Sequence, residues 1–441
     1  MLIQFEVENF RSIKDLVVLQ TSAINYYKEL ESSVIKPDLP GLKNVDFLKT
    51  IAIFGANASG KSNIFRALGI FRSIIMSPAF NDVSAELPYE PFKLNKDTIK
   101  EPTHFGIAFV AEGIRYEYEM AYKKSEIVFE TLACYPKGYK QVWFTRSADH
   151  IKDSTYIRVP KALRPLVNPA TPILSLLANY PGFPESEKIR PVYRWFAESL
   201  VLVDRSLNSV SDDELPFSGE ILDGKTGSDF QRDFIRHMIK HADVGILDAH
   251  IEREIMPDED FAMMKNLIDS FQKNPGLEQI ASQMPSLQDR PEVKRVVFEH
   301  AAMDGDEHHF EMSDESDGTI NLFCLSGRIA DSLERGATLF VDELDRSLHP
   351  RLIKELIRCF QDASVNKKNA QLIFTAHNPC ILSNGLLRRD QVWRTEKKRD
   401  GSTELLPISE FSPRQNESIE AGYIIGRYGG TPFVPDCFGL C

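Results

Sequence analysis

One glycine-rich segment constrains the fold of this chain more than any other feature of the sequence. It has the pattern G-x-x-x-x-G-K-S, and its residues are Gly55, Ala56, Asn57, Ala58, Ser59, Gly60, Lys61 and Ser62. The apolar run 51–54 before it is typical of a buried strand, and apolar residues three and four apart from Ile64 onward indicate one helix face. In such a strand–loop–helix unit, backbone N–H groups surround a phosphate, the lysine reaches the β- and γ-phosphates, and the serine hydroxyl binds Mg²⁺. The segment therefore predicts an α/β nucleotide-binding fold.

Two carboxylates follow a second predicted buried strand, far along the chain. The apolar run 338–341 leads directly into Asp342 and Glu343. In parallel sheets, ligands bind at the carboxyl ends of the strands, where both side chains would lie. We predict that Asp342 belongs to the Mg²⁺ shell and that Glu343 activates the water that attacks the γ-phosphate.

A third predicted strand supplies a further polar side chain to the same edge. The run 371–374 is apolar after its first residue and is followed by Thr375, Ala376 and His377. A side chain at the end of this neighbouring strand is well placed to contact a γ-phosphate. We predict this role for His377.

The remaining patterns predict the architecture around these motifs. Alternating apolar residues at 103–147 indicate an antiparallel sheet, whereas 160–290 has mostly helical spacing. We expect an α/β head with a mixed core sheet, an antiparallel β lobe and a helical insertion. The expected segments are an N-terminal lobe with the glycine-rich loop, an antiparallel subdomain, a helical insertion, a C-terminal lobe and a loop-rich tail, at 1–80, 81–158, 159–294, 295–400 and 401–441.

Taken together, these motifs resemble the ABC-type ATPase heads of the RecF, SMC and OLD group. The resemblance rests on Asn57 in the loop, Asn63 directly after it, the DExD run that ends at Asp345, and His377 after the next strand. It implies an ABC-type P-loop ATPase with ATP and Mg²⁺ as cofactors, and it places Asn63 and Asp345 among the nucleotide-binding residues. In that family two heads sandwich ATP, so the resemblance also implies a homodimer.

Each site of that family is completed by a signature motif from the other subunit. The run 315–319 resembles a divergent form of this motif, and it assigns Ser316, Asp317, Gly318 and Thr319 to the partner's nucleotide. Ser316 precedes Asp342 by 26 positions, which accommodates a four-turn helix and a strand. Only 16 positions separate Ser326 from Asp342, so we expect Ser326 inside that helix.

Two further similarities extend the resemblance toward the chain ends. The run 9–12 resembles the turn after the first strand of these heads, where a basic residue, here Arg11, approaches the nucleotide. A closer similarity is to the short, armless ATPases of prokaryotic phage-defence loci, of the RloA, AbiL and AriA kinds. It rests on GANASGKS, ESDGT, DELDRSLHP and the tail 422–429. It implies a regulatory ATPase, as a dimer or higher oligomer, that controls a toxic effector such as a nuclease encoded nearby.

Departures from the family keep an alternative open. No glutamine corresponds clearly to the Q-loop, where Pro91 to Leu94 lie instead, and the 254 positions from Ser62 to Ser316 are too few for long SMC arms. Only 64 residues follow His377, which leaves little room for the nuclease domain of OLD proteins. The alternative function is a RecF-like DNA clamp closed by ATP, and a transporter's nucleotide-binding subunit ranks third.

The net charge and the hydropathy of the chain limit the classes of partner that it can have. The net charge of −12 argues against coating nucleic acid by bulk charge, so any such contact would be local. The chain has no run of 18 apolar residues, and its first 20 residues lack the apolar core of a signal peptide. We expect a cytoplasmic protein that does not contact membranes.

Two weaker patterns remain. His308 and His309 with Glu307 and Glu311 suggest a metal site, but neighbours on a strand point to opposite faces, so these residues do not converge. The basic run 397–399 is typical of a solvated loop and is a candidate for phosphate contact only.

Overall fold

The computed structural model describes most of the chain, in two compact units. The described residues are 1–76, 86–148, 150–180, 182–204, 215–242, 245–272, 290, 292–302, 306–383, 385–415 and 417–431. Unit 1 comprises 1–205 and 331–441, and unit 2 comprises 206–330. Within the described ranges, no helix has the length and apolar character needed to cross a membrane.

The described residues form nine α-helices and eighteen strands. The helices are α1 (Lys61–Met76), α2 (Ile173–Asn179), α3 (Pro184–Arg194), α4 (Phe217–Leu222), α5 (Asp229–Ala242), α6 (Asp258–Gln272), α7 (Asp317–Arg335), α8 (Pro350–Gln361) and α9 (Ile419–Ile424). The strands are β1 (Leu2–Glu8), β2 (Val17–Gln20), β3 (Val34–Ile35), β4 (Phe47–Leu48), β5 (Thr50–Gly55), β6 (Thr103–Ala111), β7 (Ile114–Tyr122), β8 (Ile127–Tyr135), β9 (Gln141–Ser147), β10 (His150–Asp153), β11 (Leu200–Val203), β12 (Ile246–Ile255), β13 (Glu292–Ala301), β14 (Glu307–Glu311), β15 (Thr338–Val341), β16 (Gln371–Thr375), β17 (Val392–Lys397) and β18 (Thr403–Pro407).

A six-stranded sheet in unit 1 collects the ends of the motif-bearing strands. Its order is β11-β15-β16-β5-β17-β18, and all neighbours are parallel except β17 and β18. The strands β5, β15 and β16 are buried along their whole length, because parallel sheets are covered on both faces. Their shared direction brings the glycine-rich loop, Asp342 and Thr375 to one edge.

A seven-stranded antiparallel sheet forms the second layer of unit 1. Its order is β10-β9-β8-β7-β6-β1-β2, and α1 contributes to the core that it shares with the parallel sheet. The Phe71 ring of α1 lies 5.1 Å from the Phe105 ring and 5.7 Å from the rings of Tyr118 and Phe196. This aromatic packing fixes the helix that begins with Lys61 and thereby the position of the loop before it.

Unit 2 has its own sheet and core. Strands β12, β13 and β14 form a three-stranded antiparallel sheet, and the Phe298 ring of β13 meets the Phe323 ring of α7 at 5.4 Å. The Ser218 hydroxyl donates to the Phe323 carbonyl over 2.6 Å, which ties α4 to α7. The boundary between the units falls within α7.

The predicted α/β fold with parallel and antiparallel sheets is confirmed, but three segments differ from expectation. The region 159–294 is not all helical, because it contains β11 and β12. Residues 200–203 are four apolar residues, too short a run for periodicity to separate a strand from a helix. The tail after 401 is not only loop, since β18 and α9 lie in it. At the other end of the chain, β1 and β2 join the antiparallel sheet instead of forming part of a separate N-terminal lobe. Asp304 and Gly305 also form a pair typical of a hairpin turn, and this predicted turn lies outside the described residues.

Candidate functional site

The glycine-rich loop connects β5 to α1, and two of its glycines have no space for a side chain. Gly60 has φ +109°, and a Cβ there would lie 2.1 Å from the Thr403 hydroxyl oxygen. A Cβ on Gly55 would lie 2.2 Å from the Thr395 hydroxyl oxygen. Both threonines belong to the β17–β18 hairpin, so this hairpin packs closely against the loop.

Lys61 is the first residue of α1 and is buried. Its ammonium donates to the carbonyl oxygens of Gly55 over 2.6 Å and Ala56 over 3.2 Å. These bonds hold the cation inside the loop at the N-terminus of α1, where the helix dipole also attracts anions. A phosphate placed in this loop would meet both sources of positive potential.

Three oxygen-bearing side chains meet where α1, β15 and β16 converge. Ser62 Oγ donates to Asp342 Oδ1 over 3.3 Å, and Thr375 Oγ1 donates to the same oxygen over 2.7 Å. Serine and carboxylate oxygens are the hard donors that Mg²⁺ accepts. Ser62 and Asp342 therefore fit the metal-binding roles predicted for them.

Glu343 has a strained backbone that Thr375 supports. Its φ is +57°, a left-handed conformation that is uncommon for residues other than glycine. Its N–H donates to Thr375 Oγ1 over 2.7 Å, and His377 Nε2 lies 3.4 Å from its carboxylate. The predicted base and the predicted γ-phosphate sensor are thus in contact with each other.

Asp345 organises the loop after β16. One of its oxygens, Oδ2, accepts the backbone N–H groups of His377 over 2.7 Å and Asn378 over 2.6 Å. In this way Asp345 positions His377, and the nucleotide-binding role that the resemblance implied for Asp345 stays a prediction.

A cavity of about 590 Å³ opens beside these residues, a volume within the range of small-ligand pockets. Its lining includes the glycine-rich loop, the start of α1 and the side chains of Glu343 and His377. Two further lining residues were not assigned to the site from the sequence. The complete lining is Ser12, Asn57, Ala58, Ser59, Gly60, Lys61, Ser62, Asn63, Glu343, His377 and Lys397. Ser12 lay next to a predicted residue, and Lys397 lay in the basic run noted as a candidate for phosphate contact.

Arg11 lies behind this lining. Its Nε donates to Glu90 Oε2 over 2.6 Å, and its Nη1 donates to Asn63 Oδ1 over 3.4 Å. Asn63 in turn donates to Ser12 Oγ over 2.7 Å, so Arg11 reaches the cavity through Asn63. Glu90 precedes the run that stands where the Q-loop was expected.

The β17–β18 hairpin completes the site from the far end of the chain. Thr403 Oγ1 donates to the Ser59 carbonyl over 2.9 Å, and the Thr403 N–H donates to the Ser12 carbonyl over 2.7 Å. In the hairpin turn, hydrogen bonds from Ser402 lower the pKa of Asp400 to about 2, so Asp400 is ionised opposite Lys14 at 3.3 Å. The connection 398–402 between these strands contains Asp400 and Gly401, a turn pair that was the available sequence signal for this hairpin.

The predicted signature residues belong to unit 2, at the start of α7. Ser316 directly precedes this helix, and its Oγ accepts the Thr319 N–H over 3.2 Å and lies 2.9 Å from the Thr319 hydroxyl. Asp317 and Gly318 form the first turn. Ser326 lies inside the same helix, fully buried, as expected.

A family model matches this chain over residues 51–383, which is more than half of its length. Its description is "AAA domain, putative AbiEii toxin, Type IV TA system". The chain belongs to this AbiEii-type AAA family. The matched range of the AbiEii-type chain begins in β5 and ends just after β16, so it includes the glycine-rich loop, Asp342 and His377. The predicted membership of an ABC-type ATPase family is confirmed as membership of this AbiEii-type AAA family.

Comparison with solved structures finds SMC heads. An SMC head domain from Thermotoga maritima has 13% identity and a TM-score of 0.39, with 92% of this chain and 98% of that chain covered. A Smc head domain with an extended coiled coil, bound to the C-terminal domain of ScpA derived from Pyrococcus furiosus, has 13% identity and a TM-score of 0.39, with 97% and 98% covered. No curated protein sequence matches. The assignment to the AbiEii-type AAA family therefore rests on the family model.

Proposed function

We propose that this chain is an Mg²⁺-dependent ATPase whose ATP-bound dimer controls a toxic partner protein in an anti-phage defence system. One observation carries the enzymatic part of this proposal. Asp342 Oδ1 accepts hydrogen bonds from Thr375 and from Ser62, which lines the loop cavity. That arrangement joins the phosphate-binding loop to the end of the neighbouring strand.

The binding step uses the loop and α1. Lys61 and the backbone N–H groups of the loop hold the β- and γ-phosphates, and Lys397 approaches them from the hairpin. Ser62 and Asp342 hold Mg²⁺, which neutralises charge on the phosphates when it is bound. The Asn63 side chain accepts a hydrogen bond from Arg11 and donates one to Ser12, and it thereby links Arg11 to this site.

The hydrolytic step uses Glu343 as the general base. Its strained backbone, held by Thr375, directs the side chain toward the cavity, where it accepts a proton from the attacking water. His377, within 3.4 Å of this carboxylate, contacts the γ-phosphate and keeps Glu343 oriented. Asp345 holds the loop that carries His377.

The dimer forms when each subunit supplies Ser316 to Thr319 to the ATP of the other. The support is the position of these residues at the start of a nineteen-residue helix, where Ser316 and Asp317 are exposed and where N–H groups and the helix dipole favour an anion. Closure then depends on ATP, because only the triphosphate reaches both subunits.

The effector part of the proposal rests on two kinds of support. The family description names a "putative AbiEii toxin" of a "Type IV TA system", which connects the family to a toxic activity. The sequence similarity to armless defence ATPases extends from the glycine-rich loop to the tail at 422–429. We place the chain as the ATPase subunit that holds its effector and releases it when the dimer changes state.

The decisive experiment uses Glu343→Gln, which preserves size and hydrogen bonding but removes the base. We expect ATP binding to remain and turnover to fall by about 10²–10⁴, so that the ATP-bound dimer accumulates. This variant is purified from its native operon with ATP and Mg²⁺, and light scattering and mass spectrometry identify its mass and its partners. A protein that is encoded by an adjacent gene and co-purifies in a fixed ratio with this variant supports the proposed control of an effector.

Two controls separate the outcomes of this experiment. Lys61→Ala should fail at nucleotide binding and should therefore not dimerise with ATP. Unchanged turnover in Glu343→Gln would remove the base from its role. A dimer that carries nucleic acid and no protein would instead favour the DNA-clamp function, whose affinity should fall steeply with salt.

A further inference from the structure

The three-stranded sheet of unit 2 places histidine and glutamate side chains from all three strands on one face. Val297 of β13 pairs with His250 of β12, and Glu299 of β13 pairs with His309 of β14. Cross-strand partners and residues two apart share a face. Glu252, two residues after His250, therefore joins the same group.

Three of these side chains converge from the two outer strands. His309 Nδ1 lies 3.0 Å from Glu252 Oε1, and His250 Nε2 lies 3.6 Å from the same oxygen. One donor atom from each residue lies within 4.8 Å of the others. Donors at zinc–ligand distances in a tetrahedral site are about 3.3–3.5 Å apart. The cluster therefore needs only small side-chain rotations to surround one ion.

Glu299 supports this group from behind. Its Oε1 lies 2.9 Å from His250 Nδ1, the ring nitrogen that faces away from Glu252. Metal-binding histidines commonly direct their second nitrogen at a carboxylate, which fixes the tautomer and leaves the other nitrogen as the ligand. Glu299 lies at this position relative to His250, whose Nε2 is toward the cluster, although the His250 Nδ1 forms no hydrogen bond of regular geometry within the described residues.

We propose that His250, Glu252 and His309 form a binding site for a divalent transition-metal ion, with Zn²⁺ as the preferred ion. Two imidazoles and one carboxylate are a donor set that zinc accepts, whereas Mg²⁺ and Ca²⁺ prefer oxygen donors. The carboxylates of Glu252 and Glu299 together balance a double positive charge. The ion joins β12 to β14 across the central strand and stabilises unit 2.

This site differs from the pattern noted in the sequence. The adjacent His308 pairs with His300 and lies on the opposite face of β14, so it cannot join the cluster. The residues that join His309 in the cluster come instead from β12, more than fifty positions earlier in the chain. The proposal concerns unit 2 alone and does not depend on the ATPase function.

The test is a zinc titration of the full chain, with any affinity tag removed, without nucleotide and after removal of metals with EDTA. Calorimetry and metal analysis should find about one Zn²⁺ per chain at this site, and melting should shift upward by a few degrees with Zn²⁺ but not with Mg²⁺. His309→Ala and Glu252→Gln should lose this ion and the shift. Glu299→Gln should retain the stoichiometry but weaken affinity about tenfold or more.

Matched controls isolate the cluster from other histidines. His308→Ala changes the same residue type on the same strand but the opposite face, and His237→Ala disrupts an imidazole pair on α5 whose rings are 4.0 Å apart. Both should bind Zn²⁺ as the unmodified chain does. Failure of the unmodified chain to bind Zn²⁺, or equal binding by His309→Ala, would overturn the proposal and leave the cluster as imidazole–carboxylate pairs.

Discussion

The hydroxyl of Thr375 lies 2.7 Å from Asp342 Oδ1, and this contact joins the ends of two neighbouring parallel strands. The Thr375 hydroxyl oxygen also accepts the N–H of Glu343 over 2.7 Å. A single hydroxyl therefore orients the side chain of the proposed metal ligand and supports the strained backbone of the proposed base. Thr375 contacts neither phosphate nor metal in the proposed function, so it is a positioning residue.

Thr375→Val tests this role, because it preserves shape and removes both hydrogen bonds. We expect kcat to fall by about tenfold to a hundredfold, as for other supports of metal ligands, and the Mg²⁺ concentration for half-maximal rate to rise. ATP binding without Mg²⁺ should change little. The measurement is steady-state ATPase activity over a range of Mg²⁺ concentrations, with nucleotide binding followed separately.

Thr50→Val is the matched control for this substitution. Thr50 lies at the start of β5 in the same sheet, and its buried hydroxyl has no hydrogen-bond partner within the part of the chain that the structure describes. Removing an unsatisfied buried hydroxyl should leave stability equal or higher. Activity should be unchanged, and a loss equal to that of Thr375→Val would mean that any threonine in this sheet is sensitive.

Lys397→Ala tests the contribution of the β17–β18 hairpin to phosphate binding. Lys397 is exposed at the cavity, and no ion pair links it to another described residue. Loss of its charge should weaken ATP affinity about tenfold, which corresponds to about 1.4 kcal/mol, with little change in melting temperature. Titration with a fluorescent ATP analogue measures the affinity.

The neighbouring Lys398 is the control for this charge. Its ammonium lies 3.3 Å from the Glu404 carboxylate, and it does not line the cavity. Lys398→Ala has the same effect on net charge, so it should leave ATP affinity near its original value. Equal weakening by both variants would assign the effect to overall charge.

A mixing experiment tests whether two subunits share each ATP site. Lys61→Ala loses its own nucleotide, and Ser316→Arg blocks the contribution to the partner, so each variant should be inactive alone. In a mixed dimer, one of the two sites combines the intact halves. A homodimer that re-equilibrates should therefore recover about a quarter of the original activity in an equal mixture. A mixture that stays inactive while forming mixed dimers argues against shared sites.

Glu130 is expected to control the stability of unit 1. Its buried carboxylate accepts the N–H groups of Ile173 and Leu174 at the start of α2 and the hydroxyl of Tyr118, and burial raises its pKa. Glu130→Ala leaves these donors unsatisfied near the buried Arg146, and we expect it to cost about 2–4 kcal/mol of unfolding free energy.

Urea denaturation followed by circular dichroism measures the effect of Glu130→Ala. Glu119, on the neighbouring strand β7 and the opposite face of the sheet, supplies the control. Glu119→Ala is a substitution at a partly exposed position, so it should change the free energy by less than about 0.5 kcal/mol. A similar small effect at Glu130 would show that the buried network is dispensable.

The sequence by itself determined the parts of this protein whose residues are contiguous. The glycine-rich loop, the strand before it and the helix after it follow from local periodicity and from the need of phosphate for backbone N–H groups, and they lie where predicted. The same holds for the strand that ends at Asp342 and for the helix that begins after Ser316. In these segments, neighbouring residues determine both the local backbone structure and the chemical role, so no distant contact is needed to predict them.

Only the tertiary structure decided which distant residues join them. Thr403 reaches Ser59 across 344 positions because β17 pairs with β5 and β18 follows at the edge, an order that no short pattern encodes. The apolar run 200–203 joins the sheet for the same reason, and His309 meets His250 and Glu252 through strand register. Hydrophobic burial determines that a strand is covered, but the global packing of all strands selects its neighbours, and those neighbours complete both sites.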